Sequence, residues 1–190
     1  MVASARIIER SRRPSKDELK AAYGTTIPDI LSPNLQVLFC GINPGLYSGA
    51  VGHHFARPGN RFWPVLHFSG FTDRVLAPYE DGELLSYGCG LTNFIERATA
   101  TAKELTPEEL IAGGYQLIKK VNVYHPRALA VLGVGAYRTA FGLPRVVPGK
   151  QDRIIDSTTI WVLPNPSGLN AHYQICDFIK IFQELRMTTI

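Results

Sequence analysis

Three short runs are almost wholly apolar and end at a residue that stops a strand: Leu35-Gln36-Val37-Leu38-Phe39-Cys40-Gly41, Arg127-Ala128-Leu129-Ala130-Val131-Leu132-Gly133, and Ile160-Trp161-Val162-Leu163 before Pro164. Apolar runs of this length without alternation mark strands covered on both faces, whose home is the middle of a parallel sheet. Elsewhere the apolar spacing is helical. Phe62, Trp63, Leu66 and Phe68 recur through 60–71 and read as core. Leu110, Ile111, Leu117, Ile118 and Val121 mark one buried face, and Ile175, Phe178, Ile179, Phe182 and Leu185 mark an amphipathic closing helix. Thr106-Pro107 with Glu109 joins a capping box to proline at the first helical position. Strands alternating with helices predict an α/β fold, a three-layer α/β/α sandwich around a mainly parallel central sheet.

The chain of 190 residues is the size of one domain that needs no disulfide or metal to hold its core. The division expected is a basic, partly flexible N-terminal arm and short helix over 1–24, then a single domain over 25–190. No apolar run approaches the ~18 residues that span a bilayer, and Met1 to Arg13 carries charge where a signal peptide needs an apolar stretch, so a cytoplasmic location is expected. Cys40, Cys89 and Cys176 lie far apart with no C-x-x-C spacing, which indicates neither a disulfide framework nor a cysteine metal site. Net charge is only +4, but it is unevenly placed. Residues 72–109 hold three Lys/Arg against eight Asp/Glu, whereas 119–153 hold seven against one. A basic face suits a polyanion such as DNA, and unrelated solvated faces fit the counts equally well.

Ligands of open parallel sheets bind beyond the carboxyl ends of the strands. Two strands here run into polar, proline-containing loops, Gly41-Ile42-Asn43-Pro44-Gly45 and Pro164-Asn165-Pro166-Ser167-Gly168-Leu169-Asn170. Singly, each is an ordinary turn former. The first, followed by Gly52-His53-His54-Phe55 and Pro58-Gly59-Asn60-Arg61-Phe62-Trp63, resembles the mismatch-specific uracil/thymine-DNA glycosylase family of the uracil-DNA glycosylase superfamily. Gly90-Leu91-Thr92-Asn93-Phe94-Ile95-Glu96-Arg97 is similar to that family's second block, and Asn165-Pro166-Ser167-Gly168-Leu169 resembles its DNA-wedge loop. The likeness runs from Leu35 to the C-terminus.

The resemblance implies a uracil-DNA glycosylase-like fold and a monomeric repair enzyme that flips a base from double-stranded DNA with a G·U or G·T mismatch. Such an enzyme hydrolyses the N-glycosidic bond without a cofactor or metal. It implies Asn43 as the catalytic residue, with Asn93 and Thr99 near the attacking water. The backbone around Ile42 and the ring of Phe55 would lie against the flipped base. Ser48 would stand close to a thymine methyl, and His54 belongs to the same base-binding loop. Leu169 would be the wedge, with Gly168 and Asn170 reading the widowed guanine. An amide oxygen can hold a water but cannot take its proton as a carboxylate does, so the chemistry expected is slow. Plainer roles remain for several of these: core for Phe55, a turn residue and a helix cap for Asn93 and Thr99, a helix-start staple for Leu169.

The sequence departs from the family in two places. Asn170-Ala171-His172 stands where members commonly place an arginine, leaving the phosphate anchor missing or replaced by His172. His53-His54 looks like the thymine-processing branch while Ser48 looks like the uracil-processing one, which makes uracil the safer substrate and leaves thymine or a modified cytosine open. Competing readings are a noncatalytic mismatch- or lesion-binding module and, far behind, a nucleotide-binding protein using Gly133-Val134-Gly135. The latter lacks a Walker lysine and a full dinucleotide fingerprint.

Overall fold

The structure, a computed structural model, describes residues 13–190, so most of the basic arm lies outside the described residues. Five strands form one sheet in the order β2-β1-β3-β5-β4, with β1 Val37–Gly41, β2 Cys89–Asn93, β3 Ala128–Leu132, β4 Gly149–Ile155 and β5 Thr158–Leu163. β1 pairs in parallel with β2 and β3, β3 pairs in parallel with β5, and β4 alone runs antiparallel on the edge.

The pleat sorts the apolar runs onto two faces. Val37 and Phe39, Ala128, Ala130 and Leu132, and Trp161 and Leu163 pack toward α3 (Phe62–Phe68) and α6 (Ile175–Thr189). Leu38 and Cys40, Leu129 and Val131, and Ile160 and Val162 pack toward α4 (Pro107–Tyr124) and α5 (Val134–Phe141). Helices on both faces make the three-layer α/β/α sandwich expected, and they explain why the strands read as continuous apolar runs rather than alternating ones. Two shorter helices precede these, α1 (Lys16–Ala21) behind its Ser15 cap and α2 (Leu46–Val51) directly after the β1 loop.

The capping box at α4 forms as expected, with Glu109 N–H donating to Thr106 Oγ1 (3.2 Å) and Thr106 N–H donating to Glu109 Oε2 (2.9 Å). Several expected core positions do not hold. Phe68, at the last position of α3, is 55% exposed, and Ile111 and Ile175 also face solvent. On α4 the buried stripe is Gly113, Gly114, Leu117 and Val121, and the helix lies so close to the segment leaving β2 and to α5 that a side chain at 113 would strike the Phe94 carbonyl and one at 114 would press on the Ala140 carbonyl. The sequence also hides two strands. β4 is Gly-Lys-Gln-Asp-Arg-Ile-Ile, an edge strand with mostly polar, exposed positions, as solubility of an edge demands. β2 is fully buried but built from Cys-Gly-Leu-Thr-Asn, which has little of the β-branched signature. All three cysteines are free thiols.

Candidate active site

The chain steps left from β1 to β2 and returns on the other side of β1 as β3, so the loops at the carboxyl ends of these strands part there. A cavity of about 540 Å³ opens at that point. Every candidate named above except Gly168 lines it: Ile42, Asn43, Ser48, His54, Phe55, Asn93, Thr99, Leu169 and Asn170. Among the described residues, no Asp or Glu lines it.

The β1 loop is stitched to the segment after β2. Phe94 N–H donates to Gly41 O, Ile95 N–H to Ile42 O, and Thr99 N–H to Pro44 O, at 3.0, 3.0 and 3.1 Å. Asn43 completes the seam. Its Nδ2 donates to Thr99 Oγ1 (2.7 Å), Arg97 O (3.1 Å) and Pro44 O (3.1 Å). Two of these partners are carbonyls, which only accept, so the amide group can face them only with its NH2. Oδ1 is thereby left on the cavity side without a partner among the described residues. Thr99, buried beneath it, gives its own proton to Thr101 O (2.9 Å) and so must accept from Asn43. Its hydroxyl thereby helps hold the Asn43 amide in place at the cavity. Arg97, whose carbonyl takes part, is fixed in turn by Glu109 at 2.7 and 3.0 Å, and this pairing, with help from Thr106 N–H, holds the Glu109 carboxyl down at about 2.

Asn93, at the end of β2, is 7% exposed, lines the cavity, and has no side-chain hydrogen bond among the described residues. A side chain at position 41 would collide with its Oδ1 and come within 3.3 Å of Phe55 Cζ, so glycine at 41 makes room for both. Phe55 lines the same space with its ring stacked 4.1 Å from that of Phe62. Its φ of +52° is a left-handed conformation that costs a bulky residue energy, a feature of loops whose side-chain direction matters. Ser48 Oγ accepts the Ala56 N–H at 3.1 Å, and its proton has no acceptor among the described residues.

The two histidines are tied down separately. Asp81 accepts the His54 backbone N–H at 3.1 Å and lies 3.2 Å from His53 Nδ1, while His54 Nε2 lies 3.0 Å from Pro28 O and must carry the proton there. Burial pushes the His54 pKa below the ordinary imidazole value, against the opposing pull of the Pro28 carbonyl and Asp81. The ring is therefore neutral at neutral pH, with Nδ1 as an acceptor.

Leu169, 70% exposed, stands at the apex of the second loop. This loop rests on the turn before α3, since a side chain at 168 would meet Gly59 O at 2.7 Å. Asn170 is spent on the loop itself. Its N–H donates to Ser167 O, its Nδ2 to Asn165 O, and its Oδ1 accepts from His172 N–H. Its carbonyl accepts from Arg61. Gly168 has no backbone partner among the described residues, and of the Leu169 backbone only the carbonyl is left, since its N–H faces Ser167 Oγ at 3.3 Å. The signal missed in the sequence is Arg61, quoted there only as part of a motif; Arg57 and Lys103, exposed on the cavity rim, were not singled out at all. At Gly133, the residue before α5, the space a side chain would need is filled by Ile42, 3.0 Å away.

A cavity lined by no Asp or Glu among the described residues, with one amide oxygen left free by its anchored NH2 group, one unpartnered buried amide and one hydroxyl proton without an acceptor, can hold a water against a bound polar ring and donate to that ring's edge. The family model of the uracil DNA glycosylase superfamily matches residues 28–186. Members of that superfamily are DNA glycosylases, hydrolases that act on DNA, and the match takes in every residue of the cavity described above except Ile27. The chain belongs to the uracil DNA glycosylase superfamily.

Proposed function

We propose that the chain is a monofunctional DNA glycosylase of the mismatch-specific uracil/thymine type, which flips uracil from a G·U pair and hydrolyses the bond between the base nitrogen and C1′, leaving an abasic site. The observation that carries this reading is the Asn43 amide, clamped by Arg97, Pro44 and Thr99 so that its Oδ1 faces a cavity lined, among the described residues, by no Asp or Glu. An enzyme with a carboxylate in that place would pull a proton from water. This one orients the water and relies on the departure of the base.

As the glycosidic bond breaks, its electron pair goes to the base and positive charge grows on the sugar. The Ser48 hydroxyl and the Asn93 amide offer donors to the anionic base, and Phe55 supplies a stacking face. The water held at Asn43 Oδ1 bonds to C1′, and its proton is lost toward the base or solvent. Leu169 fills the gap in the stack, offsetting part of an unstacking cost of a few kcal/mol. The unpaired carbonyls of Gly168 and Leu169 can accept from the N1–H and N2–H groups of guanine, whereas adenine presents an acceptor at N1. That favours a G·U pair over A·U. Asn170 shapes the loop in place of reading the base.

Single-turnover base release from otherwise identical duplexes carrying G·U, A·U and G·T tests the reading. The expected order is G·U fastest, A·U slower, and G·T slowest, because Ser48 crowds a 5-methyl group by an effect worth ~1–3 kcal/mol. Binding to the G·U duplex without release would replace the glycosylase by a mismatch-binding module.

A further inference from the structure

The loop from Pro164 to Tyr173 has no strand or helix of its own, yet it must hold an exposed leucine at a fixed height above the cavity. One side chain from another part of the chain does most of the holding. Arg61, immediately before α3, donates through Nε to Pro166 O (3.3 Å), through Nη1 to Tyr173 O (2.6 Å), and through Nη2 to Ser167 O (2.6 Å) and Asn170 O (2.9 Å). Its backbone N–H donates to Pro166 O at 3.0 Å, and its guanidinium carbon lies 4.6 Å above the centre of the Phe178 ring. No carboxylate pairs with it among the described residues, so the negative ends of four carbonyls carry its charge.

We infer that Arg61 is a positioning residue that sets the height and shape of the wedge loop relative to the base pocket. This rests on the proposed reading of 165–170 as the wedge. The geometry joins the two halves of the site directly. Arg61 is followed by Phe62, whose ring backs Phe55 at 4.1 Å, so one short stretch of chain supports both the stacking face of the pocket and the loop that holds the stack open. Only a planar, five-donor group reaches four carbonyls at once; a lysine ammonium has three donors and no fork. Without the fork, four carbonyls face one another at the loop base, and the loop lifts or rotates away from the cavity.

The test compares release from two duplexes under single-turnover conditions with saturating enzyme: uracil paired opposite guanine, and uracil inside a short unpaired bubble where little unstacking is needed. Arg61→Ala is expected to lower release from the paired duplex at least tenfold more than release from the bubble, and to reduce the fluorescence rise of a 2-aminopurine placed beside the uracil. Arg61→Lys, which keeps charge and bulk, is expected to lie between the two, and it serves as the readout if Arg61→Ala does not fold. Equal loss on both duplexes in both variants overturns the inference. Leu169→Ala separates the layers. If it shifts the paired-to-bubble ratio and the Arg61 variants do not, the inference alone fails; if it does not shift the ratio, the wedge reading beneath it fails as well.

Discussion

The chain uses the pair Asn-Pro twice at the mouth of one cavity, after β1 and after β5, and uses the asparagine in opposite senses. At Asn43 the NH2 end is bound by Arg97, Pro44 and Thr99 and the oxygen is presented outward. At Asn165 the oxygen is consumed locally, accepting the Ser167 N–H at 3.0 Å to close a turn. The first loop is stitched to its neighbour by backbone hydrogen bonds and leaves one amide oxygen without a partner among the described residues. The second is held from below by Arg61 and offers an apolar tip and bare carbonyls. On the proposed reading the same dipeptide serves chemistry in one place and architecture in the other, and the difference lies in which partner comes from far away in the chain.

That contrast can be broken by exchanging amide for carboxylate. Asn43→Asp puts an oxygen against the Arg97 and Pro44 carbonyls, so the new group turns away or takes up a proton. Release from G·U at pH 7.5 is expected to fall on the order of a hundredfold despite the stronger base. Asn165→Asp keeps its acceptor for Ser167 N–H and should change the saturated rate less than about threefold, since aspartate closes this turn as well as asparagine. A smaller effect follows at Thr99. Thr99→Ala removes one of three holds on Asn43 and should slow release about tenfold, with Thr99→Ser restoring most of it, because a lost buried hydrogen bond is worth ~1–2 kcal/mol. In the second loop, Gly168→Ala presses on Gly59 O and should slow release from a paired duplex several-fold in the same assay.

The smallest expected effect is on stability. His54 titrates below its ordinary value because it is buried, so the unfolded chain binds a proton more readily. The contribution of His54 is therefore fully present above about pH 6.5 and declines as pH falls from there toward the lowered folded value. A melting-temperature profile of His54→Gln should be flatter than the parent's across that interval and parallel to it above.

Much of this was legible in the residues. Leu35 to Gly41 and Ala128 to Leu132 announce central strands because both faces are covered, and the candidates from Ile42 to Asn170 sit in or beside three recognisable blocks. Other features were not legible, β2 with its Cys-Gly-Leu-Thr-Asn among them. β4 is a polar edge whose only partner among the described residues is β5, so nothing in Lys150 to Arg153 marks it as strand. Thr99 reads as a cap until its hydroxyl is seen to be committed to Thr101, which turns it toward Asn43. Arg61 looks like a surface cation. Its role depends on carbonyls more than 100 positions downstream, and a carbonyl is the same on every residue.

The central claim is that Asn43 holds the water and contributes little to grip on DNA. It is tested most directly by single-turnover release from a G·U duplex with Asn43→Ala, measured beside the affinity of the same variant for the same duplex. The account predicts a loss of release on the order of a hundredfold or more with affinity changed less than about threefold. Undiminished release, or a loss matched by an equal loss of binding, would contradict it.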